Sequence, residues 1–430
     1  MLLSVDAQPA SHRVTSLPGF TLIAPMYSGY LQIPNSNGKE LHYTFFYSQN
    51  NPVTDPVLLW LNGGPGCSSM EGAFMENGPY IFSETNSSSY VNPNSWNKNA
   101  SVIYLEAPAG VGYSIMGALS NNATGDNTTA ADNLQALYLF FTYFPTFKQN
   151  KFYIAGESYA GIYVPSLAYF IQESNKNSSN LQINLQGIMV GNGVTLWSVD
   201  TDSVWPYFLY WHQLIDDSIY FPWVNLNCSI DFNLEGYCIT LYEQMLDLFS
   251  GINYYDVYRP CINPDVMSTK PHRARWNSAV LTGIQNCVPD NTLITYMNTP
   301  SVRSALHINS TLGAWEECTN LDYDIDHNVG SFYFYPSLIA SGINIWIYSG
   351  DTDTAVSTYG SINWLNLLGL PTTIDWQEWM FNGQVAGFYW KLGNNVRFNT
   401  VRGAGHMCIQ WKAPEGYQMF LSFIQGKDLV

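Results

Sequence analysis

The sequence predicts an α/β protein built on a mostly parallel central sheet. Short continuous apolar runs, Val57–Leu61, Ser101–Glu106 and Ile343–Ser349, each lead into a turn that contains glycine or small residues. Such runs suit strands covered on both faces. Segments of helical spacing separate them, and strands alternating with helices imply parallel pairing. At 430 residues the chain can bury a large core, as one α/β domain with an insertion or as two domains.

Taken in order, residues 12–48 read as turns and short strands. The alternation of Leu41, Tyr43 and Phe45 predicts a half-buried antiparallel strand. Val57–Leu61 is the first buried central strand, and it ends in Asn62-Gly63-Gly64-Pro65-Gly66-Cys67. Glycine at this density lets backbone approach a ligand closely and aim N–H groups at it. Ser101–Glu106 is the next strand, and Leu134, Leu137 and Phe141 mark a helix over 132–144. Lys151–Gly161, KFYIAGESYAG, then runs from strand through a turn at Ser158 into a helix. This is the context in which G-x-S-x-G presents a serine on a tight elbow. Here Ala160 holds the second glycine position and Gly161 follows it. Leu185–Gly191 supplies another strand. From about Val194 to residue 318 the texture turns aromatic and cysteine-rich, with a basic knot at Lys270, His272, Arg273 and Arg275. The division expected is a core of 1–195 and 319–430 with a mainly helical cap inserted at 196–318. The cap aromatics Trp197, Trp205, Tyr207 and Trp211 serve either an apolar subsite or the cap's own core. Sheet character resumes at Ile343–Ser349, ending in Gly350-Asp351-Thr352-Asp353. A last strand, Arg397–Val401, leads to Gly403-Ala404-Gly405-His406-Met407.

Composition narrows the partners. Hydrophobic residues make up 46% and charged residues only 11%, so the chain is globular with a largely neutral polar surface. A net charge of −17 with 16 Lys and Arg argues against a phosphate-binding footprint, and no nucleic-acid partner is expected. No apolar run is long enough for a membrane-spanning helix. The start, Met1-Leu2-Leu3-Ser4-Val5-Asp6, lacks the basic and extended apolar regions of a full signal peptide. Sequons at Asn86, Asn99, Asn122, Asn127, Asn177, Asn227 and Asn309, with acidic charge and clustered cysteines, point to a secreted or lysosome-like glycoprotein with N-linked glycans.

A nucleophilic serine needs a base, and the base an orienting acid. Of the seven histidines only His406 follows the strand-end acids Asp351 and Asp353, and it too sits in a glycine-rich turn. The order Ser, Asp, His at strand ends is the one G-x-S-x-G hydrolases use. Residue chemistry alone leaves the choice between Asp351 and Asp353 open. No metal-ligand cluster or dinucleotide fingerprint occurs, so neither a metal nor a cofactor is expected.

Taken together, WLNGGPGCSS (60–69), GESYAG (156–161), GDTD (350–353) and GAGHM (403–407) resemble the serine carboxypeptidase family. SLPGF…YSGYL (16–31) and YMNTPSVRSALH (296–307) extend the likeness over most of the chain. The resemblance implies an α/β-hydrolase fold and removal of single amino acids from peptide C-termini through an acyl-enzyme. It implies Ser158 as nucleophile, His406 as general base and Asp353 as its partner, with the N–H groups of Gly64 and Tyr159 forming the oxyanion hole. Residues matching Trp60, Asn62, Glu76 and Glu157 would bind the substrate carboxylate. Two glutamates held close cannot both ionise, so one keeps a proton to donate, which predicts action at acid pH in a secreted, lysosomal or vacuolar setting. The family pattern also implies disulfides Cys67–Cys318, Cys228–Cys238 and Cys261–Cys287, leaving Cys408 unpaired. There the sequence departs from the common GHMVP, reading GHMCI: a thiol so near the base is either reactive, giving mercurial sensitivity that Cys408→Ser removes, or buried and inert. Rival readings are an acyltransferase of the same family type, against which the intact Asn62 argues, and a protective binding partner of other lysosomal enzymes. Oligomeric state is not set by the sequence, and a homodimer stays open.

Overall fold

The computed structural model describes residues 9–82, 89–118, 124–230, 234–261, 291–325 and 330–429. Its frame is an eleven-stranded sheet. The strands are β1 (Arg13–Val14), β2 (Met26–Gln32), β3 (Glu40–Phe46), β4 (Val57–Leu61), β5 (Ser101–Leu105) and β6 (Phe152–Glu157), followed by β7 (Leu185–Gly191), β8 (Asn344–Gly350), β9 (Thr372–Phe381), β10 (Gln384–Leu392) and β11 (Val396–Val401). They lie in the order β1-β2-β3-β5-β4-β6-β7-β8-β11-β10-β9. The six from β5 to β11 pair in parallel. Antiparallel strands flank them at both edges.

Period-two alternation assigns side chains to the two sheet faces. On β4, Val57, Leu59 and Leu61 join one apolar cluster while Leu58 and Trp60 join the other. Ile345 and Ile347 of β8 are likewise separated from Trp346 and Tyr348. Helices α1 (Asp126–Tyr143), α2 (Ala160–Asn175) and α3 (Thr358–Leu367) cover the first face, and α4 (Ala413–Gln425) packs Met419, Phe420 and Phe423 on the second. Fully burying such a side chain contributes about 1.5–3 kcal/mol, which is why the central strands read as continuous apolar runs.

One sequence expectation changes, and two features go beyond what the sequence predicts. The strand through Leu41, Tyr43 and Phe45 is buried on both faces, because the intervening His42 and Thr44 are also fully buried and hydrogen-bonded. The β9–β10 hairpin has no counterpart in the sequence reading. Its outer strand is largely exposed and lacks a continuous apolar run. Of the inserted region, Trp205, Phe208, Leu209, Ile219, Trp223, Leu241, Met245 and Phe249 form an apolar cluster of their own. Leu293, Met297, Val302, Leu306 and Trp315 instead pack into the second sheet-face cluster. The basic knot at 270–275 lies outside the described residues.

Candidate active site

The parallel strands bring four loops to one end of the sheet. The register pairs Leu61 with Gly156, Glu157 with Gly191, Gly191 with Tyr348 and Gly350 with Val401. The loops after β4, β6, β8 and β11 therefore leave side by side. They carry, in turn, Asn62–Ser69, Ser158, Asp351–Asp353 and His406.

Ser158 sits between β6 and α2 with φ +61, a left-handed conformation that costs a non-glycine residue about 1–3 kcal/mol. Backbone bonds hold it there, its N–H donating to Gly191 O (3.0 Å) and its carbonyl accepting from Val194 N (3.1 Å). Glu157 and Tyr159 on either side are buried, whereas Ser158 is only half-buried. A Cβ on Gly156 would strike Leu61 O and the Ala160 side chain, and one on Gly161 would strike Val194 O. The shifted glycine of the motif is thereby explained: close backbone approach is demanded at 161, and a methyl group fits at 160.

The loop after β4 presses on this elbow. A Cβ on Gly63 would meet Tyr159 N, Glu157 O and Ser158 Cβ. Gly64 has φ +113, which only glycine adopts readily. The Gly64–Pro65 peptide is cis. Across the loop, Cys67 is bonded to Cys318, and backbone pairs Ser68 N–Glu317 O and Thr319 N–Gly66 O, both 2.8 Å, reinforce the bridge.

Beneath the loop lies a buried polar cluster. The Trp60 indole N–H donates to Asn62 Oδ1 (2.7 Å), which also accepts from Gly72 N (3.0 Å). The amide orientation is thereby set, and Asn62 Nδ2 donates to Glu76 Oε1 (2.8 Å) and, at 3.4 Å, to Glu157 Oε1. Glu76 ends the π-helical turn Gly72–Glu76. The two remaining oxygens, Glu76 Oε2 and Glu157 Oε2, are buried and accept no N–H or O–H from another residue. Both carboxyls thus face the one Asn62 amide, and two acids held together in a buried site resist ionising at once. Burial raises the pKa of both. The Glu76 carboxylate pushes Glu157 higher still, well above the ordinary carboxylate range.

Of the two candidate acids, Asp353 faces the histidine: its Oδ2 lies 2.7 Å from His406 Nδ1. Asp351 turns away and accepts from Gly403 N (2.7 Å). Asp353 is fully buried, accepting also from Ala355 N (2.8 Å), Val356 N (3.2 Å) and Asn192 Nδ2 (2.7 Å). His406 Nε2 is buried and has no hydrogen-bond partner among the described residues.

Two elements here escaped the sequence reading. Asn192, between two glycines at the end of β7, carried a usable signal: a polar residue in a glycine turn after a buried strand. The other is the segment 254–257 of the insertion. Tyr255 O accepts from His406 N (2.7 Å), and the two rings lie 4.8 Å apart. Asp256 accepts from Thr352 Oγ1 (2.8 Å), and Tyr254 O from Thr354 Oγ1 (2.6 Å). No spacing rule brings residue 255 to residue 406.

Cys228 and Cys238 are disulfide-bonded, and so is Cys261, whose expected partner Cys287 lies outside the described residues. Cys408 is a free, buried thiol. Its Sγ lies 3.2 Å from both Asn192 Oδ1 and Gly405 O, and burial raises its pKa well above the ordinary value. Trp205 belongs to the insertion's core and Trp197 to the sheet core, where it packs 6.0 Å from the Tyr159 ring. Trp211 is exposed, and Tyr207 stacks on Tyr359.

Comparison with known proteins agrees with this architecture. The family model described as serine carboxypeptidase matches residues 18–426. The chain is 36% identical to serine carboxypeptidase ctsa-4.1 of Caenorhabditis elegans, over 98% of this chain and 95% of that protein. It is 34% identical to serine carboxypeptidase 1 of Hordeum vulgare (98% and 94%) and 35% to serine carboxypeptidase-like 20 of Arabidopsis thaliana (99% and 95%). The crystal structure of KEX1(delta)p, a prohormone-processing carboxypeptidase from Saccharomyces cerevisiae, superposes with a TM-score of 0.78 at 22% identity, covering 97% of each chain. The sheet order, the loops gathered at one sheet end and a match that runs nearly end to end converge on one conclusion: this chain is a member of the serine carboxypeptidase family, an enzyme with the α/β-hydrolase fold.

Proposed function

We propose that the enzyme hydrolyses the last peptide bond of peptides at acid pH, with Ser158, His406 and Asp353 as its triad. In this reading Ser158 Oγ attacks the scissile carbonyl as His406 Nε2 takes its proton. Asp353 holds the opposite ring nitrogen and stabilises the imidazolium. The N–H groups of Gly64 and Tyr159 face the oxyanion, a donor type whose loss costs on the order of a hundred- to a thousandfold in rate. His406 then protonates the departing amine, and water, deprotonated by the same ring, releases the acyl group.

The observation that carries the exopeptidase reading is the buried Asn62–Glu76–Glu157 cluster directly beside the elbow, two of whose carboxyl oxygens are left over. A substrate carboxylate would accept from Asn62 Nδ2 and from the proton shared by the glutamates, with Trp60 fixing the amide. An endopeptide offers no such group.

Asn127, Asn177, Asn227 and Asn309 are exposed and are the proposed glycan acceptors of a secreted or lysosome- or vacuole-like enzyme. Asn99 is half-buried and accepts from the Tyr417 hydroxyl. Asn86 and Asn122 lie outside the described residues. The insertion, 196–318, is proposed to act as the cap.

A panel of N-blocked dipeptides, with and without C-terminal amidation, tests the function. Wild type should release the last amino acid from free-acid substrates and fail on the amides, and Ser158→Ala should be inactive on both. Transfer of the acyl group to a small alcohol in place of amino-acid release would favour the acyltransferase reading.

A further inference from the structure

We infer that Asn192 is a positioning residue for this chemistry, locking the proposed acid Asp353 and the Ser158 elbow into one frame. The inference rests on the triad reading just proposed and adds a residue to it. Asn192 follows β7, is fully buried, and has φ +40, a conformation that favours glycine and that asparagine tolerates better than most residues. Its glycine neighbours allow close packing on either side. A Cβ on Gly191 would collide with the Tyr348 ring, and one on Gly193 with Val190.

The side-chain amide has a single workable orientation. Oδ1 accepts from Gly350 N (3.0 Å) and lies 3.2 Å from Cys408 Sγ, both donors. Nδ2 donates to Asp353 Oδ2 (2.7 Å), with Ser349 Oγ (3.3 Å) and Val356 O (3.4 Å) farther off. Turning the amide over would set its oxygen against the carboxylate and the Val356 carbonyl, and its NH2 group against the Gly350 N–H. Nδ2 is therefore fixed on the same carboxylate oxygen that faces His406 Nδ1. The backbone completes the frame: Asn192 N donates to Tyr348 O (2.9 Å), and the flanking Gly191 O and Val194 N hold both ends of Ser158. One turn thus touches the serine through the main chain and the acid through a side chain. Without the amide, Asp353 Oδ2 keeps His406 and a longer bond from Val356 N, and the carboxylate is free to rotate toward either.

Asn192→Gly and Asn192→Asp separate this role from that of a turn residue. Glycine relieves the backbone strain and deletes the amide, so a turn role alone predicts an unchanged enzyme. The positioning role predicts that covalent labelling of Ser158 by a fluorophosphonate slows about 10- to 100-fold, with kcat falling in step and KM unchanged. Asn192→Asp keeps the size and the turn but offers a donor only when its carboxyl is protonated. Its labelling deficit against wild type should be large at pH 7.5 and shrink toward pH 4.5. Wild-type labelling by Asn192→Gly, or a pH-independent deficit in Asn192→Asp, overturns the inference; should the glycine variant not fold, the aspartate variant decides alone. Ser158→Ala measured alongside keeps the two readings apart. If it retains peptidase activity, the triad itself is wrong, whereas an inactive Ser158→Ala with unimpaired Asn192 variants removes only the positioning role.

Discussion

Glu157 lies within one residue of the proposed nucleophile yet faces into the protein, beside Asn62 and Glu76 under the loop after β4. Burial and the neighbouring carboxylate raise both pKa values, that of Glu76 to about 7, so the pair is singly or doubly protonated in acid and loses donors as pH rises. In the proposed exopeptidase reading, a bound peptide carboxylate would then face uncompensated negative charge. KM for a free-acid peptide should therefore climb between pH 6 and 8, by up to about tenfold per pH unit once the pair is deprotonating, while kcat changes less. Glu157→Gln keeps a neutral donor at every pH and should flatten that climb. Initial-rate kinetics across pH 4.5–8 check it, and a flat wild-type KM would sink the proton-sharing account. At this scale the sequence was most informative where motif residues follow strands, as Ser158, Asp353 and His406 do. It could not separate Asp351 from Asp353, since both follow the same strand, and only the fold of the loop turns one toward the histidine. Cys408 was legible as an unpaired thiol, and of the reactive and the buried, inert readings the structure gives the buried one. Its raised pKa makes it a slow target for thiol reagents.

Helix α2 begins at the elbow and contains Pro165, which has no N–H to give the carbonyl four residues earlier. That carbonyl belongs to Gly161, and the buried hydroxyl of Ser331 donates to it at 2.5 Å. A residue from beyond the insertion thus fills the gap in the first turns after Ser158. Ser331→Ala would leave a buried carbonyl without a donor and should destabilise the protein by about 1–3 kcal/mol. Denaturant unfolding measures this, and an unchanged midpoint would mean that water replaces the hydroxyl. Central strands such as β4 and β8 were legible because both faces are apolar. The outer hairpin was not, because its exposed side chains follow no burial pattern and pairing with β11 holds it in place. The contact of residues 254–257 with the acid and histidine loops was also beyond reach, since it joins side chains and carbonyls roughly a hundred to a hundred and fifty positions apart by tertiary packing alone.

For the molecule as a whole, the buried carboxyls set a direction for stability against pH. Glu76 and Asp200 are both raised to about 7 by burial, and Glu157 is raised further. Asp200 accepts from Thr195 N and Leu196 N through one oxygen while its other oxygen is buried without a partner. A raised folded-state pKa means that the native chain keeps a proton which the unfolded chain releases above the ordinary carboxylate range. Their stabilising contribution is therefore complete below about pH 4 and is lost as pH rises through about 7. The net charge of −17 adds self-repulsion in the same direction. The thermal midpoint should be higher near pH 5 than near pH 7.5, and the difference should narrow in a Glu76→Gln, Asp200→Asn double variant; equal midpoints for wild type would count against the assignment. The overall architecture was legible from alternating strands and helices, whereas the packing of Leu293 to Trp315 on the sheet was not, because their helical spacing fits either neighbour. One bond carries a consequence of connectivity. Cys67 and Cys318 stand 251 positions apart, and Ser158 and the segment that touches His406 lie between them. A backbone cut anywhere in that interval would yield a two-chain enzyme whose parts stay covalently joined, so the interval could be nicked without either fragment being free to diffuse away.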